Sequence, residues 1–348
     1  MASQSSVPIK AFPQLQWRNR LAADWQRALV SRATNNEFFF RLINRDFKRG
    51  FGALGLPDVG PVGERIAADL KGHGIAFAHF SELFPKDLYE AIVLAFNDYK
   101  DSFLKERELR GGKLNGKEII IDTIHKAHHF LAEDAVSNYL ASPLIAGISA
   151  RYMDMVPRYV GSSFWHTKPA PSDERVYSQL WHRDYNDRRL VKFFLYLNDV
   201  GLNSGYFEYV TGTHAQGALG RTFDSIGPDG YRCYPDQAGV DKMVADAPVI
   251  DLSTLRPDKY SGASAPWSKG QMSRILCTGK AGAMIFCDTF GLHRGGFVKN
   301  GYRDLIMGTY STNFNVHKPH FSVSPEFTAG LTPFMRLAFG LELDGKRV

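Results

Sequence analysis

QLWHRDYNDRRLVKFFLYLNDVGLNSGYFEYVTGTH, residues 179–214, decides how the chain is read. Short aromatic and β-branched runs, LVKFFLYLNDV and YFEYVTGTH, are broken by Gly, Asn and Asp. That is the pattern of strands joined by turns. Just ahead of the first run, His182 and Asp184 stand two residues apart. In an extended chain such a pair leaves the same face, with Arg183 on the other, so both side chains can approach one ion. The bare HxD pattern proves little, because about one match is expected by chance at this composition. Its neighbours have to carry the reading.

Outward from this stretch the same texture covers the chain from about residue 158. YVGSSFWHTK, VYSQLWHRD, GAMIFCD and DLIMGTYSTNF read as further strands. Many short strands with turns between them predict a sandwich or jelly roll rather than a parallel α/β sheet. Upstream, residues 20–48 mix apolar and charged residues in a helix-compatible way. DLYEAIVLAFNDYKDSF (87–103) does so more clearly, with Leu88, Ile92, Phe96 and Phe103 close to one face and Asp87 near the N-terminus. PEFTAGLTPFMRLAFGL reads as one short helix or two. Residues 217–275 are rich in Gly, Pro and Asp; a structureless loop that long is unusual, so the segment is a lid or carries short elements of its own. The expected fold class is mainly β with α additions, a jelly-roll core with N-terminal helices. The single domain then divides into a mainly helical part (1–157) that buttresses one sheet, a jelly-roll core (158–316) whose insertion 217–275 helps close the mouth, and a helical tail (317–348).

A chain of 348 residues with 44% hydrophobic and 22% charged residues has apolar material for one substantial core and no signature of disorder. The net charge of +6 is scattered rather than gathered in blocks, so no nucleic-acid partner is expected. Cys233, Cys277 and Cys287 form an odd set without CxxC spacing, which argues against a disulfide framework and a structural zinc site. The N-terminus has no apolar segment of signal-peptide type, and no later run is long enough to cross a bilayer. A cytoplasmic protein with no membrane partner is expected; the oligomeric state is open.

A ferrous site built on two histidines and one carboxylate needs a third ligand, from a different strand, and leaves one coordination face open. His293, in IFCDTFGLHRGGF, is the best candidate: it follows a buried-looking strand and a glycine. Ten residues later Arg303 heads the strand-like RDLIMGTYST, where a guanidinium fork can hold a carboxylate in two parallel hydrogen bonds. The order HxD, NSGYFEYVTGTH, His and Arg resembles the phytanoyl-CoA dioxygenase family of iron(II)- and 2-oxoglutarate-dependent oxygenases, over about residues 160–315. The resemblance implies that the jelly roll is a double-stranded β-helix (cupin-like) core, with a metal site on His182, Asp184 and His293, Arg303 on the C5 carboxylate of 2-oxoglutarate and dioxygen as the second co-substrate. Gln179 falls where polar residues of that family contact the co-substrate. The partner implied is a small-molecule substrate. Two departures stand out: Thr211 replaces the usual proline of the turn before His214, and Gly295 stands where a small hydroxyl residue often assists the co-substrate carboxylate. Halogenating relatives carry a small residue at the carboxylate position. With Asp184 present, hydroxylation or another hydrogen-abstraction outcome is expected.

Plainer readings compete. The triad can be a local polar pair plus a satisfied histidine at a strand end, making the protein a silent jelly-roll binder; a metal-dependent isomerase or hydrolase fits the same scaffold. His214 is expected to shape its turn rather than ligate. His125, His128 and His129 in TIHKAHHF fall at helical spacing and, without an HExxH arrangement, belong to a helix surface or the pocket mouth. Gly50, Gly52 and Gly55 match a dinucleotide fingerprint but lack the strand-turn-helix context, and read as a loop. Arg183, Arg188, Arg189, Lys192, Arg221 and Arg294 read as solvated charges at the pocket rim; should several converge, they suit a substrate bearing carboxylate or phosphate. Among the aromatics, Phe164, Trp165, Trp181, Tyr185, Phe194 and Tyr196 either wall the cavity or pack the core.

Overall fold

A computed structural model describes residues 37–45, 51–109, 120–169, 174–184, 187–220, 236–255, 270–312 and 319–341. Most of the helix expected over 20–48 lies outside these residues, as do Cys233 and Arg221; within it, α1 spans Glu37–Ile43. Helices α2 (Gly60–His73), α3 (Phe80–Leu83), α4 (Lys86–Leu109), α5 (Ala135–Leu140) and α6 (Pro143–Met153) follow, interleaved with β1 (Ile75–His79), β2 (Ile121–Lys126) and β3 (His129–Phe130). The N-terminal part therefore supplies strands as well as helices. The core strands are β4 (Arg158–Thr167), β5 (Leu190–Tyr196), β6 (Phe207–Val210), β7 (Val249–Asp251), β8 (Arg274–Cys277), β9 (Ala283–Cys287), β10 (His293–Gly295) and β11 (Arg303–Ser311). Helix α7 (Gln237–Val244) precedes β7, and β12 (Ser322–Val323) precedes α8 (Pro325–Ala329) and α9 (Pro333–Ala338).

Six strands form an antiparallel sheet in the order β1-β9-β5-β11-β4-β2, and four form a second sheet in the order β10-β6-β8-β7. From β5 onward the chain passes between the two, to β6 and β8, back to β9, across to β10 and back to β11. That winding is a double-stranded β-helix, the form of the expected jelly roll that the resemblance implies.

The large sheet is buried on both faces, so its central strands lack polar alternation; β11 is buried at every position. Side-chain period still sorts the faces. Val191, Phe193, Leu195, Ile306 and Tyr310 join the core under the helices, where Ile92 and Phe96 supply the apolar stripe of α4. Phe194, Tyr196, Leu305 and Met307 point the other way, against Phe207, Tyr209 and Ile275 of the small sheet. The second layer is the interior that will hold the site.

Three local readings are corrected. VYSQLWHRD is not a regular strand: residues Tyr177–Gln179 form a 3₁₀ turn, closed by Val176 N–H donating to the Gln179 side-chain oxygen at 3.1 Å, and His182 makes only an isolated bridge to His293. A side chain that satisfies the local backbone outcompetes the strand ladder there. His125 and His129 lie on strands, not a helix. Residues 51–53 are helical rather than looped. The 217–275 segment carries α7, β7 and a 3₁₀ turn at Leu252–Thr254, and β7 pairs in parallel with β8.

Asp288, at the exit of β9, ties these layers together. Its N–H donates to Gly74 O, its carbonyl accepts from Tyr209, and its carboxylate accepts from Tyr152 Oη and from Phe290 N–H. Burial raises its pKa to about 7, against those hydrogen bonds.

Two predictions follow from this architecture. A Cβ built on Gly308 would meet the Phe193 ring at 2.1 Å across the β5–β11 register, so Gly308→Ala should cost about 1–3 kcal/mol in urea unfolding. A carboxyl whose folded pKa is raised contributes stability that is fully present below its unfolded pKa and is lost as pH rises through about 7. Asp288→Asn should therefore narrow the stability difference between about pH 5 and about pH 8; an unchanged difference contradicts the assignment.

Candidate metal centre

His182 and His293 are joined by their backbones: His182 N–H donates to His293 O at 3.0 Å and His293 N–H donates to His182 O at 3.1 Å. This is the hydrogen-bonded pair of an antiparallel ladder, and it extends the small sheet past β10. It sets the two imidazoles side by side, ring centroids 4.2 Å apart. Asp184 is fixed next to them by its N–H donating to Thr289 O at 2.8 Å. One donor atom from each of His182, Asp184 and His293 lies within 4.8 Å of the others, and all three residues are buried. Arg183 points away, donating to Thr213 O and Gly220 O, as period-2 geometry requires.

The tautomers are fixed by hydrogen bonding. His182 Nδ1 lies 2.7 Å from Leu180 O and His293 Nδ1 lies 2.8 Å from Gly291 O. A carbonyl can only accept, so each Nδ1 carries the proton and each Nε2 the lone pair, the arrangement in which imidazole ligates a metal. Burial, and then the neighbouring His182, hold His293 well below the ordinary imidazole range, which keeps it a neutral donor. Two neutral nitrogens and one carboxylate fit a divalent transition metal with coordination positions left on the cavity side.

These residues line a cavity of about 350 Å³ between the sheets. Its walls are largely apolar, with Trp165, Phe194, Phe207, Leu305 and Met307 prominent. Arg303, at the start of β11, lines it too. The guanidinium donates from Nη2 to Thr167 Oγ1 at 3.3 Å, and the Tyr196 hydroxyl lies close beside it. Arg303 Nε is buried with no acceptor among the described residues. A buried donor left over in this way is costly unless something else accepts from it.

Gln179 is not brought into this group: it is buried in the 3₁₀ turn and does not line the cavity. His214 lies elsewhere, its Nε2 3.2 Å from Lys71 O, and burial lowers its pKa to about 4. His125, His128 and His129 sit behind the large sheet, His125 stacked on Tyr99. The solvated-rim reading of the basic residues is overturned: Arg183, Arg189 and Arg294 are buried. Of the six, Lys192 alone among the described residues lines the cavity, with its ammonium on Asp184.

Sequence reasoning missed Thr167, which the β4–β11 register sets opposite Arg303, and the clamp behind the histidines. There Gln237 of α7 hydrogen-bonds both the N–H and the carbonyl of Trp181, and Arg294 lies over the Trp181 ring while donating to Glu208 and Asp241. The residues flanking both candidate ligands are thus locked to one helix. Arg294 beside His293, with Trp181 beside His182, was the signal available.

No family model matches the chain, and no curated protein matches it. Solved structures do. The epimerase SnoN in complex with Fe3+, alpha ketoglutarate and nogalamycin RO is 12% identical over 72% of this chain and 83% of its own, with a TM-score of 0.43. The alpha ketoglutarate dependent carbocyclase SnoK is 15% identical over 74% and 86%, with a TM-score of 0.39. EctD from S. alaskensis with 2-oxoglutarate and 5-hydroxyectoine is 15% identical over 83% and 91%, with a TM-score of 0.45. At such identities and scores the chemistry has to be argued from this chain's own geometry.

The metal centre predicts that His182→Ala and Asp184→Ala each weaken Co(II) binding by at least about a hundredfold in calorimetric titration, while His214→Ala leaves it unchanged.

Proposed function

We propose that the chain is an iron(II)- and 2-oxoglutarate-dependent dioxygenase that oxidises, by hydroxylation in the first instance, a C–H bond of a small anionic metabolite. The observation that carries this reading is the meeting of two features in one apolar cavity: a buried pair of Nε2 donors beside a carboxylate, and a buried guanidinium with an N–H that no described residue accepts. A pure binding protein has no need of the first. A hydrolase or isomerase that uses the same metal without a co-substrate has no need of the second.

In this reading His182, Asp184 and His293 hold the iron, and the aspartate's occupancy of the third position leaves no place for a halide. Arg303, oriented by Thr167 and Tyr196, holds the C5 carboxylate of 2-oxoglutarate; Thr167 takes the part of the hydroxyl that Gly295 cannot supply. When bound, the iron supplies oxygen activation that couples decarboxylation of 2-oxoglutarate, to succinate and carbon dioxide, with removal of a hydrogen atom from the substrate. The aromatic and aliphatic walls exclude water from that chemistry. A cavity of about 350 Å³ suits a small molecule, and Lys192 and Arg303, the basic residues lining it among those described, favour an anion. The free buried thiols of Cys277 and Cys287 fit a reducing, cytoplasmic setting.

Anaerobic addition of Fe(II) and then 2-oxoglutarate should produce a visible metal-to-ligand charge-transfer band, and its absence would overturn the proposal. In Arg303→Ala the band should require about 10–100-fold more 2-oxoglutarate, the worth of a charge-assisted pair.

A further inference from the structure

Lys192 is an unexpected residue for its place. It stands on β5 in the same interior-facing column as Phe194 and Tyr196, paired across the sheet with Cys287 and Thr309. Its side chain is only 15% exposed, and Phe194, Cys287 and Met307 on that face are apolar. An ammonium so placed needs a partner, and among the described residues that partner is Asp184 Oδ2. The same oxygen lies 3.8 Å from His293 Nε2, so it faces the space the candidate ligands enclose. The ammonium and a metal ion would compete for one carboxylate oxygen. Their charges oppose one another there, because a monovalent and a divalent cation on one carboxylate repel strongly in a poorly solvated cavity. Lysine, a point charge on a flexible four-carbon stem, is suited to leaving; an arginine fork fixed in two hydrogen bonds is not.

We propose that Lys192 is a positioning residue that serves as resident counter-cation for Asp184. Without metal it neutralises the buried carboxylate and keeps it aimed at the histidines; metal entry displaces the ammonium into the cavity. The inference rests on the metal centre described above, not on 2-oxoglutarate or the reaction. Its physical consequence is that the protein gives up metal affinity in exchange for a metal-free site that stays folded and charge-balanced, since a buried carboxylate stripped of its partner is strongly destabilising.

The test is calorimetric titration of the purified full chain with Co(II), with no 2-oxoglutarate present, comparing wild type with Lys192→Met, Lys192→Gln and Lys192→Arg. Removing the charge should tighten Co(II) binding by about tenfold or more in the two neutral variants, while Lys192→Arg should bind no more tightly than wild type. Melting temperature gives the second readout: metal-free Lys192→Met and Lys192→Gln should melt below wild type, and Co(II) should raise their melting temperature by more than it raises that of wild type. A merely structural lysine would give the opposite sign, with weaker metal binding in the neutral variants. Equal or weaker binding in both of them overturns the proposal. Should one fail to fold without metal, its recovery on refolding with Co(II) supports the proposal and its failure to recover counts against it. If wild type binds no Co(II), or His182→Ala binds it equally well, the metal centre itself falls and this inference with it.

Discussion

The reciprocal backbone hydrogen bonds between His182 and His293 are the constraint on which the rest depends. Two residues from distant parts of the chain are brought into one ladder step, so their side chains share a face and a depth. A metal centre needs positional accuracy, and a paired backbone provides it more cheaply than packed side chains can. The Trp181–Gln237–Asp241–Arg294 clamp reinforces the same step from behind and fastens α7 against it.

The charge distribution follows from burial. Of the described residues lining the cavity, Asp184 is the acid and Lys192 and Arg303 are the bases. Each is placed among aromatic and aliphatic walls where an unpaired charge is expensive. Asp184 and Lys192 answer one another, whereas Arg303 leans on Thr167 and keeps a donor that no described residue accepts. The site is therefore satisfied internally at the ligand end and incomplete at the arginine end.

Much of this was legible in the sequence because side-chain period survives folding. The run LVKFFLYLNDV declares a strand, and once it is one, Lys192, Phe194 and Tyr196 must share a face. The stripe at Leu88, Ile92, Phe96 and Phe103 declares α4 in the same way. His182 and Asp184 could be paired from spacing, and His293 from its place after a buried strand. What stayed hidden depended on long-range register or local competition. Thr167 is aligned with Arg303 only once β4 and β11 pair. The turn at Tyr177–Gln179 rests on local backbone hydrogen bonds together with the Gln179 side chain. Arg183 and Arg294 read as surface charges because no local signal announces a buried carbonyl or the buried Glu208 waiting for them. For Lys192 the face was derivable, but its partner required coordinates.

The most direct test of the central claim is a crystal structure of the Fe(II)-loaded protein with anomalous diffraction collected at the iron edge. The account predicts one strong peak per chain, within about 2.0–2.2 Å of His182 Nε2, His293 Nε2 and an Asp184 oxygen. A peak elsewhere, ligation through either Nδ1, or His293 turned away from the 182/184 pair would contradict it.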